Sequence, residues 1–197
     1  MNLIIGVTGP TGSGKSVLSE YCNKFGFRHV NCDTLARKAV EKDSEGLLAL
    51  TKVFGDDILN TDGTLDRKKL ATIAFYSKEN TELLNKTIFP FIKELVLKET
   101  NKGKILLDAP TLFESGINEI CFKTIAVLSD NEIRLKRIIS RDNLTKEEAL
   151  LRMNAGKSDD FYQKNADYII YNNKTEDEFF TDFSEVLTKI FQQGENL

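Results

Sequence analysis

The chain has 197 residues, of which 41% are hydrophobic and 29% charged, with a formal net charge of −3. That content suffices for a buried core in one domain with embellishments. No field of one sign dominates, which argues against a general nucleic-acid or membrane-surface binder and leaves only a local basic patch open.

No apolar run approaches the roughly 18 residues of a membrane span. The start, MNLIIGVTG, lacks the basic region and cleavage site of a signal peptide. Cys22, Cys32 and Cys121 are odd in number, widely spaced and without a CxxC pair, so they read as thiols of a reducing compartment. A soluble cytoplasmic protein is expected.

The first predicted element is a strand over Leu3–Val7, followed at once by a loop with Gly9, Gly12 and Gly14. Glycine inside regular structure costs stability, so the cluster needs a reason. Gly9-Pro10-Thr11-Gly12-Ser13-Gly14-Lys15-Ser16 matches GxxxxGK[ST], with a strand entering and the helical pattern SVLSEYCNKF leaving. Successive N–H groups and a helix N-terminus there make a concave anion site, which side chains would block. The reading is a phosphate-binding P-loop, with Gly9, Thr11, Gly12, Ser13, Gly14, Lys15, Ser16 and Val17 around a nucleotide. Lys15 is expected on the β- and γ-phosphates and Ser16 on Mg²⁺.

A second strand, Phe27–Val30, leads to Asp33, either the base of a phosphotransferase or the N-cap of a helix starting at Thr34. Arg37 lies one turn further on, where it could hold an anionic substrate. From Thr34 to Lys102 only helical patterning follows, more than one crossover needs, so a mostly helical lobe is expected. Within it NKTIFPFI reads as core packing. His29, inside the second strand, reads as packed.

A third strand, Ile105–Leu107, closes on Asp108, the Walker-B pattern that sets a carboxylate beside Mg²⁺. A fourth strand is predicted over Ile125–Leu128. The helix beyond it carries Arg134, Arg137 and Arg141 on one face, with Ser129 and Glu132 spaced as a capping box. The stripe is either a solvated face or one side of a hinged lid. Asn143-Leu144-Thr145 breaks the helix, and Thr145 with Glu148 caps the next, which carries Arg152. The last strand is Tyr168–Ile170, and the tail QQGENL is expected to fray. Strands hydrophobic on successive residues indicate a parallel sheet covered on both faces, hence an α/β fold.

A nucleotide site does not name a reaction. The guanine-reading NKxD is absent, since Asn173-Lys174-Thr175-Glu176 lacks the aspartate. GVTGPTGSGKS, NCDTLARKAV, FGDDILNTDGTLDRKKLATIAF, LLNKTIFPFI, LLDAPTLFESG, LKRIISRDNLTKEEALLRM and ADYIIYNN together resemble the dephospho-coenzyme A kinase family along nearly the whole chain. The resemblance implies ATP- and Mg²⁺-dependent phosphorylation of the ribose 3′-hydroxyl of dephospho-coenzyme A, the last step of coenzyme A synthesis. It also implies a P-loop core with a five-stranded parallel sheet, spanning 1–32, 103–128 and 160–197. A helical substrate lobe at about 34–100 and a lid at about 130–158 complete the expected domain. The expected partner is a small molecule, with the enzyme a monomer or weak homo-oligomer.

By the same resemblance Asp33 matches the base and Arg37 the substrate-binding run. Pro110, Leu112 and Phe113 match the segment lining the acceptor pocket, Arg137 and Arg141 match lid positions, and Asn172 and Asn173 match a loop near adenine. Departures are Pro10 for glycine, Asn31 for the first aspartate of D-x-D, Phe89 for a histidine implied in acceptor binding, Gly156 for glutamine and Tyr171 for aspartate. Another nucleoside or nucleotide kinase of this fold, or a non-catalytic ATP-binding protein, remains an alternative at this stage.

Overall fold

The computed structural model describes residues 3–194. The chain forms two compact units, Met1–His29 with Gly103–Leu197, and Val30–Lys102. Five strands make one sheet: β1 (Leu3–Thr8), β2 (Arg28–Asn31), β3 (Lys104–Asp108), β4 (Lys123–Leu128) and β5 (Tyr168–Tyr171). Their order is β2-β3-β1-β4-β5, and β1 pairs in parallel with both β3 and β4, as β4 does with β5. Each predicted strand is present, with ends shifted by one or two residues. All six residues of β1 are buried, because helices cover both faces of a central parallel strand.

Between β1 and β2 runs α1 (Ser16–Tyr21), which tightens into a 3₁₀ turn over Cys22–Phe25 and stops at Gly26. After β4 come α6 (Asn131–Asp142), α7 (Lys146–Asn154) and α8 (Asp159–Asn165), and after β5 comes α9 (Glu176–Gly194). One core cluster gathers Ile5, Val7, Leu18, Leu106, Val127, Phe179, Phe183 and Ile190 between sheet and helices. A second joins Ile138 of α6 to Ala149 and Met153 of α7. Gln192–Gly194 of the expected frayed tail belong to α9, and 195–197 lie outside the described residues.

The second unit is helical, as the long gap predicts: α2 (Cys32–Lys38), α3 (Glu45–Phe54), α4 (Arg67–Ala74) and α5 (Lys78–Glu99). Leu35, Leu47, Leu50, Ile58, Leu70, Ala74, Ile88, Ile92 and Val96 are among its buried side chains. Pro90 sits exposed inside α5, and Phe89 beside it is half-buried. No helix among the described residues is long and apolar enough to cross a membrane.

Two capping expectations are corrected. Asp33 is not the N-cap of α2. The helix starts two residues earlier than expected, and Asn31 caps it by accepting from the Thr34 amide at 3.1 Å. Asn31 has the extended backbone a cap requires, whereas Asp33 is already helical in the first turn. Likewise Ser129 and Glu132 form no capping box. The N-cap of α6 is Asp130, and the Ser129 hydroxyl instead donates to the Asn172 carbonyl and Asn173 Oδ1, both at 2.9 Å. The box at Thr145 and Glu148 is present, and Asn143 takes the left-handed conformation that separates α6 from α7.

Asp167 locks the start of β5 to β4. Its Oδ2 accepts from the Thr124 amide at 2.8 Å and hydroxyl at 2.7 Å, and its Oδ1 lies 3.3 Å from the Lys123 ammonium. Partial burial raises the carboxyl pKa, but the Thr124 bonds and Lys123 outweigh it and hold the group below its ordinary value. A depressed carboxyl contributes stability above the unfolded-state value of about 3.9 and loses it as pH falls through the folded value. Asp167→Asn should therefore be less stable than the parent near neutrality, with the gap closing below about pH 4. Urea midpoints across that range check this; a gap unchanged by acid would mean the carboxylate charge contributes nothing.

Candidate active site

The carboxyl ends of β1 and β3 lie side by side, with Val7 in register with Asp108. The glycine-rich loop leaves β1 at this edge, where ligands bind in open α/β sheets. Gly14 has φ +86°, and a Cβ on it would lie 2.3 Å from Asn172 Nδ2. Gly12 has φ +80°, and a Cβ there would lie 2.8 Å from the Arg134 carbonyl. The glycines thus let the loop lie directly on α6 and on the turn after β5.

Loop carbonyls face protein donors. The Thr11 carbonyl accepts from Arg134 Nε at 3.0 Å, and that of Ser13 from Arg137 at 3.2 Å and Asn172 Nδ2 at 3.0 Å. Lys15 Nζ donates to the Gly9 carbonyl at 2.7 Å and the Pro10 carbonyl at 3.4 Å, which closes the loop around its own lysine. Pro10, the departure from glycine, still offers its carbonyl to the Ser13 amide at 3.2 Å. The buried Ser13 hydroxyl has no hydrogen-bond partner among the described residues. Val17, on the first turn of α1, packs against the core cluster.

Asp108 ends β3 with 15% of its side chain exposed, and His29 Nε2 of β2 lies 3.9 Å from its Oδ2. His29 is thus only half-buried and faces the carboxylate, a proximity that strand patterning alone did not reveal. Ser16 is exposed at the first position of α1. A hydroxyl and a carboxylate are hard oxygen donors suited to Mg²⁺. No cluster of three or more His, Cys, Asp or Glu side chains that could hold a metal ion occurs among the described residues.

The arginine stripe divides in three. Arg134 is 4% exposed and reaches Asn131 Oδ1 at 3.3 Å and Asp159 Oδ1 at 3.4 Å. Arg137 spends both terminal nitrogens on protein acceptors: the Ser13 carbonyl, the Ser129 hydroxyl at 3.2 Å, and Asn172 O and Oδ1 at 3.1 and 3.2 Å. Burial lowers its pKa. Arg141 is exposed and makes a two-pronged pair with Asp142 at 2.8 Å, whose Oδ2 also holds Arg152 of α7 at 2.7 Å. The Asp142 hydrogen bonds raise the Arg141 pKa. Neither a uniform solvated face nor a uniform set of lid arginines describes this helix.

Asn172 is 5% exposed, and its amide is bonded to Ser13 and Arg137. Asn173 Oδ1 accepts from the Asp130 amide at 2.8 Å, and its Nδ2 donates to Asp130 Oδ1 at 2.8 Å. Both asparagines, expected near adenine, are therefore engaged in fastening this turn to the loop and to α6. Leu112, expected in a pocket wall, has no exposed surface and packs under Gly6. It supports the segment from beneath. Pro110 accepts from the Thr8 hydroxyl at 3.3 Å, and Phe113 packs edge-on to Phe161. In the helical unit Asp33 and Arg37 are both exposed, one turn apart on α2.

Arg134, Asp142 and Asp159 escaped the sequence reading as site residues. One signal was available: Arg134 shares its helical face with Ile138, four residues on and fully buried, so that face points inward.

A parallel sheet with this loop at its central strand and oxygen donors at its edge defines a P-loop nucleotide-binding fold. The family model described as dephospho-CoA kinase matches residues 3–178. The chain belongs to the dephospho-CoA kinase family, whose members carry out the final phosphorylation of coenzyme A synthesis. It is 41% identical over 181 residues to the dephospho-CoA kinase of Listeria innocua, covering 89% of this chain and 90% of that protein. Among solved structures it is similar to TT1252 of Thermus thermophilus, with TM-score 0.80 and 28% identity over 95% of this chain and 97% of the other. It is similar also to the Campylobacter jejuni dephospho-CoA kinase, with TM-score 0.68 and 28% identity over 97% and 98%.

Gly14→Ala tests the cradle. Left-handed backbone costs a non-glycine residue about 1–2 kcal/mol, and here the methyl also displaces Asn172. Nucleotide affinity should fall by about tenfold or more, with the fold retained in circular dichroism; unchanged affinity in direct titration would remove this loop from nucleotide binding.

Proposed function

We propose that this chain transfers the γ-phosphoryl group of ATP to the ribose 3′-hydroxyl of dephospho-coenzyme A, with Mg²⁺ as the metal. The observation that carries this reading is the loop whose carbonyls are turned onto protein donors, with Lys15 folded over it, in a chain of this family. Phosphoryl transfer asks for in-line positioning and charge neutralisation more than for covalent chemistry. Loop amides and Lys15 hold the donor phosphates. Ser16 and Asp108 are the residues that would hold Mg²⁺, which when bound neutralises charge on the phosphate oxygens.

Asp33 is assigned to take the proton of the 3′-hydroxyl, and Arg37, Phe89, Pro110 and Phe113 are assigned to the acceptor. Exposure of Asp33, with the capping duty carried by Asn31, supports a carboxylate kept for chemistry. Arg141 is the lid arginine assigned to the transferring group, since it is exposed and among the described residues its hydrogen bonds go to its neighbour Asp142. Arg137 acts on the site through the loop it binds. Asn143 in its left-handed turn serves as the hinge between α6 and α7. The odd, widely spaced cysteines favour the cytoplasm.

Incubation with ATP, Mg²⁺ and dephospho-coenzyme A, followed by mass spectrometry, should show coenzyme A and ADP. Phosphorylation of adenosine or a nucleotide in its place would instead identify another kinase of this fold. Lys15→Ala should leave the fold intact and nearly abolish transfer at saturating ATP; near-normal turnover would sink the phosphate-loop assignment.

Asp33→Asn and Asp33→Ala should both stay within about 1 kcal/mol of the parent in stability, the scale of a first-turn charge on the helix dipole. Both should lose about 10²–10⁴-fold in kcat, the usual cost of removing a general base. Calorimetry and steady-state kinetics on the two variants check this. If Asp33→Asn keeps most of its kcat, the base lies elsewhere.

A further inference from the structure

We infer that Arg134 is a positioning residue of the phosphate site, aiming the Gly12 amide at the bound nucleotide without touching it. The inference rests on the reading of this loop as the nucleotide-phosphate cradle. In a planar trans peptide the C=O of one residue and the N–H of the next point in opposite directions. A donor that fixes a loop carbonyl therefore fixes the direction of the following N–H.

Three consecutive peptides of the loop have their carbonyls held by side chains of α6 or of the turn after β5. Arg134 Nε holds the Thr11 carbonyl at 3.0 Å and so directs the Gly12 N–H to the opposite side. Arg137 and Asn172 hold the Ser13 carbonyl and so direct the Gly14 N–H. The peptide between them has its Gly12 carbonyl 3.5 Å from Arg137 and its Ser13 N–H donating to the Pro10 carbonyl. Thr11–Gly12 is thus the peptide whose direction depends on Arg134.

The rest of the Arg134 environment fits a fixed support. The residue is 4% exposed, and its NH1 reaches Asn131 Oδ1 one turn earlier on α6 and Asp159 Oδ1 on the first turn of α8. The Arg134 backbone carbonyl lies where any side chain at position 12 would stand, so loop and helix are in direct contact. A guanidinium is suited to this place because its planar fork serves the loop and the carboxylate together. A lysine carries all its donors on one nitrogen and lacks the separate Nε and NH1 that serve the two acceptors here.

The experiment compares Kd for ADP and AMP, by calorimetry without metal, in the parent and in Arg134→Met. Methionine fills the space of the stem, and Asp159, 40% exposed, stays hydrated when its partner is lost. The extra phosphate of ADP reports on the loop amides, so the preference for ADP over AMP should fall by about tenfold, the effect of one misdirected charge-supported contact. AMP affinity should stay within about twofold, and Arg134→Lys should recover only part of the preference. Asp159→Asn, which keeps the arginine and loosens its anchor, should shift the preference the same way by less, and it decides the matter if Arg134→Met does not fold. An unchanged preference in folded Arg134→Met, or in Asp159→Asn where that variant decides, overturns the proposal, as does equal weakening of both ligands. A parent protein with no preference for ADP would overturn the phosphate-loop reading itself.

Discussion

The carbonyls of the loop after β1 point at protein donors, and the rest of the catalytic unit is arranged around that constraint. A peptide group has two polar ends, and one end must be satisfied by the fold if the other is to meet a ligand. Arg134, Arg137 and Asn172 satisfy the protein-facing end. They come from α6 and from the turn after β5, far apart in sequence from the loop. Strand order places them there: β1 is central, with β4 beside it and β5 beyond.

Two of those donors are guanidinium groups, Arg134 buried and Arg137 half-buried, and burial works against their charge. Such groups persist only where hydrogen bonds replace their hydration. Arg137 meets this with bonds to Ser13, Ser129 and Asn172, and Arg134 with bonds to Thr11, Asn131 and Asp159. Removing a member leaves a buried polar group unsatisfied, so the network rigidifies the loop as a unit. Rigid donors need no rearrangement when charge moves between phosphate oxygens, the condition under which electrostatic stabilisation of a transition state is most effective.

Rigidity under the loop contrasts with the far end of α6. There Arg141, Asp142 and Arg152 form an exposed three-member ion cluster across a left-handed turn at Asn143. Exposed ion pairs contribute little to stability, and their partners exchange readily with phosphate or water. One helix therefore carries an enclosed end at the glycine-rich loop and a solvent-exposed end at the turn before α7. Four residues separate Arg137 from Arg141, yet the first is enclosed by the P-loop and the turn after β5 while the second faces solvent.

The sequence by itself determined the sheet, the loop and the chemistry class, because these depend on local patterns. Unbroken apolar runs marked strands buried on both faces, and GxxxxGK[ST] needs its glycines within one short loop whatever surrounds it. The capping box at Thr145 was legible for the same reason, as it closes within four residues. Local pattern failed where several candidates competed for one duty: Asn31 took the cap offered to Asp33, and Ser129 bonded to the turn after β5 instead of capping α6. The roles of Arg134, Arg137, Arg141 and Asn172 were decided only by tertiary structure. Equal spacing on a helix says which side chains share a face but not what meets each of them, and here three arginines of one stripe meet a loop carbonyl, a buried network and water.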